Sequence, residues 1–218
     1  MPKRALAEKR PWLLASLFIG LTFMAVNGSA MPGLYQMVWK GAAVGFLAVY
    51  AMLRHGSRDA KFLSGIMALG ALGDMLIEVD LTAGAAAFLA GHVLAIGLYA
   101  LHRRERLSGS QRILGVALAV LVPLIAWILP DDRATAPAVA AYALGLGCMA
   151  GMAWTSNFPR YRVGTGALLF VVSDLLLFAR LGPLQGNEIA HLLIWPTYYF
   201  GQFLICVGVL GTLREREL

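Results

Sequence analysis

Apolar residues in this chain gather into predominantly apolar stretches of 16 to 26 residues, set apart by short breaks rich in charge, Pro and Gly. A helix needs about 20 such residues to cross about 30 Å of hydrocarbon. Eight stretches read as spans: residues 12–27, 34–53, 61–79, 83–101, 111–130, 137–156, 162–180 and 188–213. The breaks are too short to hold a soluble domain. In lipid every backbone amide must find its partner internally, and helices do this within one segment. The pattern therefore predicts an all-α, polytopic helical bundle, a single transmembrane domain over residues 1–218.

Composition agrees. The 218 residues are 59% hydrophobic and 14% charged, with a mean hydropathy of +0.71. Soluble domains are about 45–50% apolar and about 25% charged. A secreted disulfide scaffold, a disordered tail and a conventional soluble enzyme are excluded. Cys148 and Cys206 both lie inside apolar runs and read as small packing residues.

Charge changes the picture by giving direction. The net charge of +6 does not point to nucleic acid, because the basic residues sit in short clusters between apolar runs. Lys3, Arg4, Lys9 and Arg10 precede the first span. Alternate breaks carry Arg54, Arg58 and Lys61, then Arg103, Arg104, Arg106 and Arg112, then Arg160 and Arg162, and Arg214 and Arg216 close the chain. Only Lys40, Arg133 and Arg180 belong to the other side, with Glu78, Asp80, Asp131, Asp132 and Glu188. By the positive-inside rule both termini are expected to be cytoplasmic. The basic start, short apolar run and Gly28-Ser29-Ala30 also fit a cleavable signal peptide. The favoured alternative is an uncleaved first span, since the run leads directly into a second. The compact form suits a bacterial inner membrane.

Polar residues inside spans are costly and mark functional candidates. Lys40 lies about two turns into the second span. Asp74 and Asp174 lie in the third and seventh, each expected about 8–9 Å below the outer boundary at 1.5 Å per residue. His92 is mid-span in the fourth. Tyr198, Tyr199 and Gln202 follow Pro196 in the eighth, with His191 near its outer end. Most fall in the outer half of the bilayer, which suggests one polar cavity near the outer leaflet. Gly70, Gly73 and Ser173 flank the aspartates and would let helices approach closely. Gln202 shares a helix face with Tyr198 and Tyr199, offering phenol and amide groups to a polar head group.

Asp74 precedes His92 by 18 residues and Asp174 precedes His191 by 17, which raises an internal four-span repeat. Structural alternatives stand beside each reading. Asp74 and Lys40 could form an ion pair, the histidines could be satisfied packing residues, and Trp195, Tyr198 and Tyr199 could be packing or interface aromatics. Glu78 and Asp80 are expected to be solvated at the outer surface.

Taken in order, Leu72-Gly73-Asp74-Met75-Leu76-Ile77, Gly91-His92 followed by Tyr99, Ser173-Asp174-Leu175-Leu176, and Tyr198-Tyr199 with Gln202 resemble the motifs of the YhhN/TMEM86 family of integral-membrane lysoplasmalogenases. The eight-span length and short connections resemble that family over nearly the whole chain. The family often shows Lys-Pro in the second span, where this chain has Lys40-Gly41. The resemblance implies hydrolysis of the vinyl ether bond of a lysoplasmalogen, a lysophospholipid met in the membrane. The products would be a fatty aldehyde and glycerophosphoethanolamine or glycerophosphocholine. It also implies Asp74 and Asp174 as the catalytic pair, with no metal or other cofactor required.

The chemistry suits those residue types. Vinyl ethers resist base and yield to acid, through an oxocarbenium ion that water captures. The reaction needs a carboxylic acid that keeps its proton and a carboxylate that stabilises the cation and orients water, the logic of glycoside hydrolysis. One of Asp74 and Asp174 is expected in each role. Lys40 would tune a carboxylate or bind phosphate, and Tyr198, Tyr199 and Gln202 would hold glycerol and head group. Two rivals remain open at this point. A metal-dependent hydrolase would use Asp74, Asp174, His92 and His191 as ligands, and a proton-coupled carrier would use the same groups as a relay.

Overall fold

The computed structural model describes residues 9–27 and 32–215. Eight α-helices run through them: α1 (Arg10–Val26), α2 (Gly33–Arg54), α3 (Arg58–Leu76), α4 (Leu81–Leu101), α5 (Gly109–Ile128), α6 (Ala136–Thr155), α7 (Thr165–Ala179) and α8 (Glu188–Glu215). Each matches one of the eight stretches. Six segments are long and apolar enough to span a membrane, α7 counting together with the turn before it. The chain is a multi-pass membrane protein. Two helices fall outside that set for different reasons. α1 has 17 residues, and α3 carries Arg58, Asp59, Lys61 and Asp74 in 19 residues. Gly28-Ser29-Ala30, with the cleavage alternative they raised, lie outside the described residues.

The helix starts follow local capping chemistry. The Ser57 hydroxyl accepts from the Ala60 amide at α3, and an Asp80 carboxylate oxygen accepts from the Ala83 amide at 2.7 Å at α4. Ser108 and Gln111 form a reciprocal capping box at α5, and Asn187 caps α8 through the Ala190 amide. Each satisfies amides that no helical carbonyl reaches. Asp80 is exposed, as expected at the outer surface, but it also caps a helix. Before α7 the chain departs from expectation. Residues Arg160–Gly164 form a single π-helical turn after Pro159. It brings Gly164 so close to α6 that a Cβ there would lie 2.8 Å from the Trp154 ring.

Contacts divide the chain into two compact units, one up to Leu94 together with the segment from Val209, the other Ala95–Gly208. In the first, α2 packs against both α1 and α3. Ser16 Oγ donates to the Ala43 carbonyl at 2.6 Å and Ser64 Oγ to the Ala48 carbonyl at 2.9 Å. In the second, α5 packs closely on α6, backbone against backbone. A Cβ on Gly151 would stand 2.5 Å from the Gly115 carbonyl oxygen, an approach only small residues permit. α5 leaves Ile113, Val116, Leu124 and Ile128 exposed, a surface suited to lipid.

Candidate functional site

In the first unit Asp74 is buried, at 4% exposure, in the last turn of α3. The helix proper stops at Leu76 and the chain turns through Val79, so Asp74 stands nearer its helix end than the span limits suggested. Two close approaches build its surroundings. A Cβ on Gly73 would meet the Phe88 ring of α4 at 2.8 Å, and one on Gly41 would meet Met75 Cγ at 2.5 Å. Gly41 therefore lets Met75, the neighbour of Asp74, seat against the α2 backbone. His92 is buried in α4 at 3% exposure.

Lys40 donates to Glu78 Oε1 at 2.5 Å, the two side chains being 21% and 32% exposed. Its ammonium also stands 5.7 Å from the centre of the Phe23 ring. Glu78 is exposed, as expected of a solvated group, and is ion-paired as well. It follows Asp74 by four residues, so the pair ties α2 to the turn just beyond that aspartate's helix.

In the second unit Asp174 is buried in α7 at 7% exposure. Its Oδ2 accepts a 2.7 Å hydrogen bond from the Tyr142 hydroxyl of α6, and the Tyr142 ring packs edge-on against Phe178. Ser173 Oγ donates to the Ile194 carbonyl at 3.1 Å, linking α7 to α8. Below it Gly166 and Gly201 approach so closely that a Cβ on either would lie 2.7 Å from the other's carbonyl oxygen. That approach seats Tyr198, which meets Phe170 edge-on at 5.1 Å. Trp195 stacks on Tyr199 at 5.8 Å. Gln202 is 2% exposed, and among the described residues its Oε1 has no hydrogen-bond partner. An uncompensated buried carbonyl costs about 1–3 kcal/mol, which suits a group reserved for a ligand.

Near the same end of α7, Arg180 Nη1 lies 3.0 Å from His191 Nδ1. A guanidinium only donates, so His191 accepts there. Within the described residues no group of three or more His, Cys, Asp or Glu side chains is gathered to hold a metal ion.

Three participants were not anticipated as site residues. Tyr142 is the one tyrosine in its span, and the rule that flagged Tyr198 and Tyr199 applies to it equally, but no neighbouring polar residue on its own helix drew notice to it. Glu78 and Arg180 were read for topology alone, because charge counting assigns a side of the membrane and not a partner.

No curated protein and no solved structure matches the chain. Residues 35–209 match the YhhN family, a stretch that takes in Lys40, Asp74, His92, Tyr142, Asp174, Tyr198 and Gln202. The chain belongs to the YhhN family.

Proposed function

We propose that this protein hydrolyses the vinyl ether bond of a lysoplasmalogen. The observation that carries the reading is Asp174, a carboxyl group buried in an apolar helix and held by the Tyr142 hydroxyl. A hydrogen bond of that kind leaves Oδ1 for chemistry while restricting rotation of the group. Family membership supports the reaction, and Asp74 supplies a second buried carboxyl group.

One carboxyl group gives its proton to the alkenyl carbon remote from oxygen. The π electrons form the new C–H bond, and positive charge is shared between the other carbon and the ether oxygen. The second, ionised carboxyl group stabilises that charge and accepts a proton as water adds to the carbon. The hemiacetal then collapses: its hydroxyl gives its proton to the first carboxylate, the C=O bond forms as the bond to the glycerol oxygen breaks, that oxygen takes the proton held by the second carboxyl group, and a fatty aldehyde leaves with both groups restored. Low dielectric strengthens such charge stabilisation. Tyr198, Tyr199 and Gln202 are assigned to the glycerol and head group, Lys40 to the phosphate with Glu78 as its resting partner. His92 and Ser173 support the helices that carry them. A single-chain lipid enters from the bilayer with its tail left in hydrocarbon, in a bacterial inner membrane on our reading.

The test is fatty-aldehyde release from lysoplasmenylethanolamine by purified protein in detergent. Aldehyde is expected, with glycerophosphoethanolamine in equal amount. A well-folded preparation that releases none sinks the proposal.

A further inference from the structure

At the far end of α6 from Tyr142, fourteen residues along and so about 21 Å, the second unit has another polar feature. The chain between α4 and α5 is clasped to the chain after α6. The Asn157 amide donates to the His102 carbonyl at 2.7 Å, and Asn157 Nδ2 donates to the Arg103 carbonyl at 3.0 Å. Arg104 Nε and Nη2 donate to the Ser156 carbonyl at 3.2 and 3.1 Å. Beneath the clasp is a cavity of about 100 Å³ lined by Tyr99, Arg103, Arg104, Thr155 and Ser156 among others. That is the liquid volume of about three waters. Tyr99 is 1% exposed, and its hydroxyl has no hydrogen-bond partner among the described residues.

Leu107, Met152 and Thr155 also belong to the wall of an apolar groove of about 430 Å³ between α5 and α6. Gly115, Ala119, Cys148 and Gly151 line it, and Arg112 stands at its mouth. The groove exists because small residues at the α5–α6 contact leave no side chains to fill it. From Arg112 to Ala119 it follows the helix for seven residues, about 10 Å into the apolar layer. Among the described residues no carboxylate pairs with Arg103, Arg106 or Arg112. Glu105 is the single acid in residues 103–112.

We infer that this is a binding site for an anionic phospholipid. The phosphate sits with Arg103, Arg104 and the Tyr99 hydroxyl, Arg112 faces the head group, and one acyl chain lies in the α5–α6 groove. Charge complementarity selects the occupant. A basic cavity opening on an apolar groove matches a lipid carrying net negative charge, and a choline head group would cancel the attraction. The basic cluster is also on the side expected to face the cytoplasm, where anionic lipids raise the local concentration of such ligands.

The test is native mass spectrometry of the purified full chain with equimolar phosphatidylglycerol and phosphatidylcholine of the same acyl chains. Because basic residues favour an anionic lipid over a zwitterionic one, phosphatidylglycerol is expected to be retained about tenfold or more over phosphatidylcholine. Arg103→Gln with Arg112→Gln is expected to equalise the two. Ala119→Phe, which fills the groove, is expected to weaken retention of phosphatidylglycerol while the melting temperature holds. Equal retention of both lipids by the unmodified protein overturns the inference. So does phosphatidylglycerol retention unchanged in both variants. Displacement by inorganic phosphate with no effect of Ala119→Phe would also overturn it, since that describes a free-anion site and not a lipid site.

Discussion

The Tyr142 hydroxyl and Asp174 Oδ2 are 2.7 Å apart, a hydrogen bond between two buried side chains that joins α6 to α7. A carboxyl group in apolar surroundings has few partners, so one phenol decides how it is aimed. Removing the donor from a buried acceptor of this kind costs about 1–3 kcal/mol. Replacing Tyr142 by Phe keeps the ring and its edge contact with Phe178 and removes only the donor. Tyr142→Phe is expected to lower kcat for aldehyde release by roughly tenfold or more, the rate equivalent of such a bond, with KM little changed. Tyr142 would then be a positioning residue. An unchanged kcat would leave it a purely structural contact.

Asp74→Asn and Asp174→Asn preserve shape and remove the proton and the charge that the proposed reaction uses. Turnover is expected to disappear in both variants, with melting temperatures near that of the parent protein. EDTA is expected to leave parental activity intact. Substantial aldehyde release from either variant would end the two-carboxylate scheme.

Lys40 and Glu78 are each partly exposed, so their attraction is screened. Their coupling in a double-mutant cycle is expected to be below about 1 kcal/mol, smaller again at high salt. Exchanging the two charges is expected to restore the stability lost in either single reversal. Lys40→Gln is expected to raise KM more than it lowers kcat, as fits a phosphate contact.

Gly201 faces the Gly166 backbone, with no room for a Cβ. Gly201→Val is expected to destabilise the protein by at least about 1–3 kcal/mol and to disturb the adjoining Tyr198 and Gln202. Gly97 has nothing within 4 Å of its would-be Cβ, so Gly97→Ala is expected to be neutral or slightly stabilising. Thermal unfolding in detergent distinguishes the two, and equal effects would contradict the packing described.

Gln202 offers the opposite signature. Met has similar length and no polar carbonyl. Gln202→Met is expected to raise the melting temperature, because an unmatched buried acceptor is removed, while KM for the lysolipid rises. Loss of stability with unchanged KM would show that Gln202 serves packing alone.

Much of this was legible in the chain itself. Hydrocarbon thickness sets the length of an apolar run, so the eight stretches became eight helices with limits shifted by a few residues. The cost of polar groups in lipid singled out Asp74, His92, Asp174 and Gln202, and all four are buried.

Local rules fail where the partner lies on another helix. The π-helical turn at Arg160–Gly164 answers to the Trp154 ring six residues before its first residue. The pairing of Lys40 with Glu78 spans 38 residues, that of Tyr142 with Asp174 spans 32. A soluble amphipathic helix announces its buried face by a stripe of apolar residues. A helix that is apolar all round carries no such stripe, so its sequence sets length, termini and polar positions but not azimuth. Which faces meet is decided by the glycine approaches and side-chain hydrogen bonds, formed between residues that only the folded chain brings together.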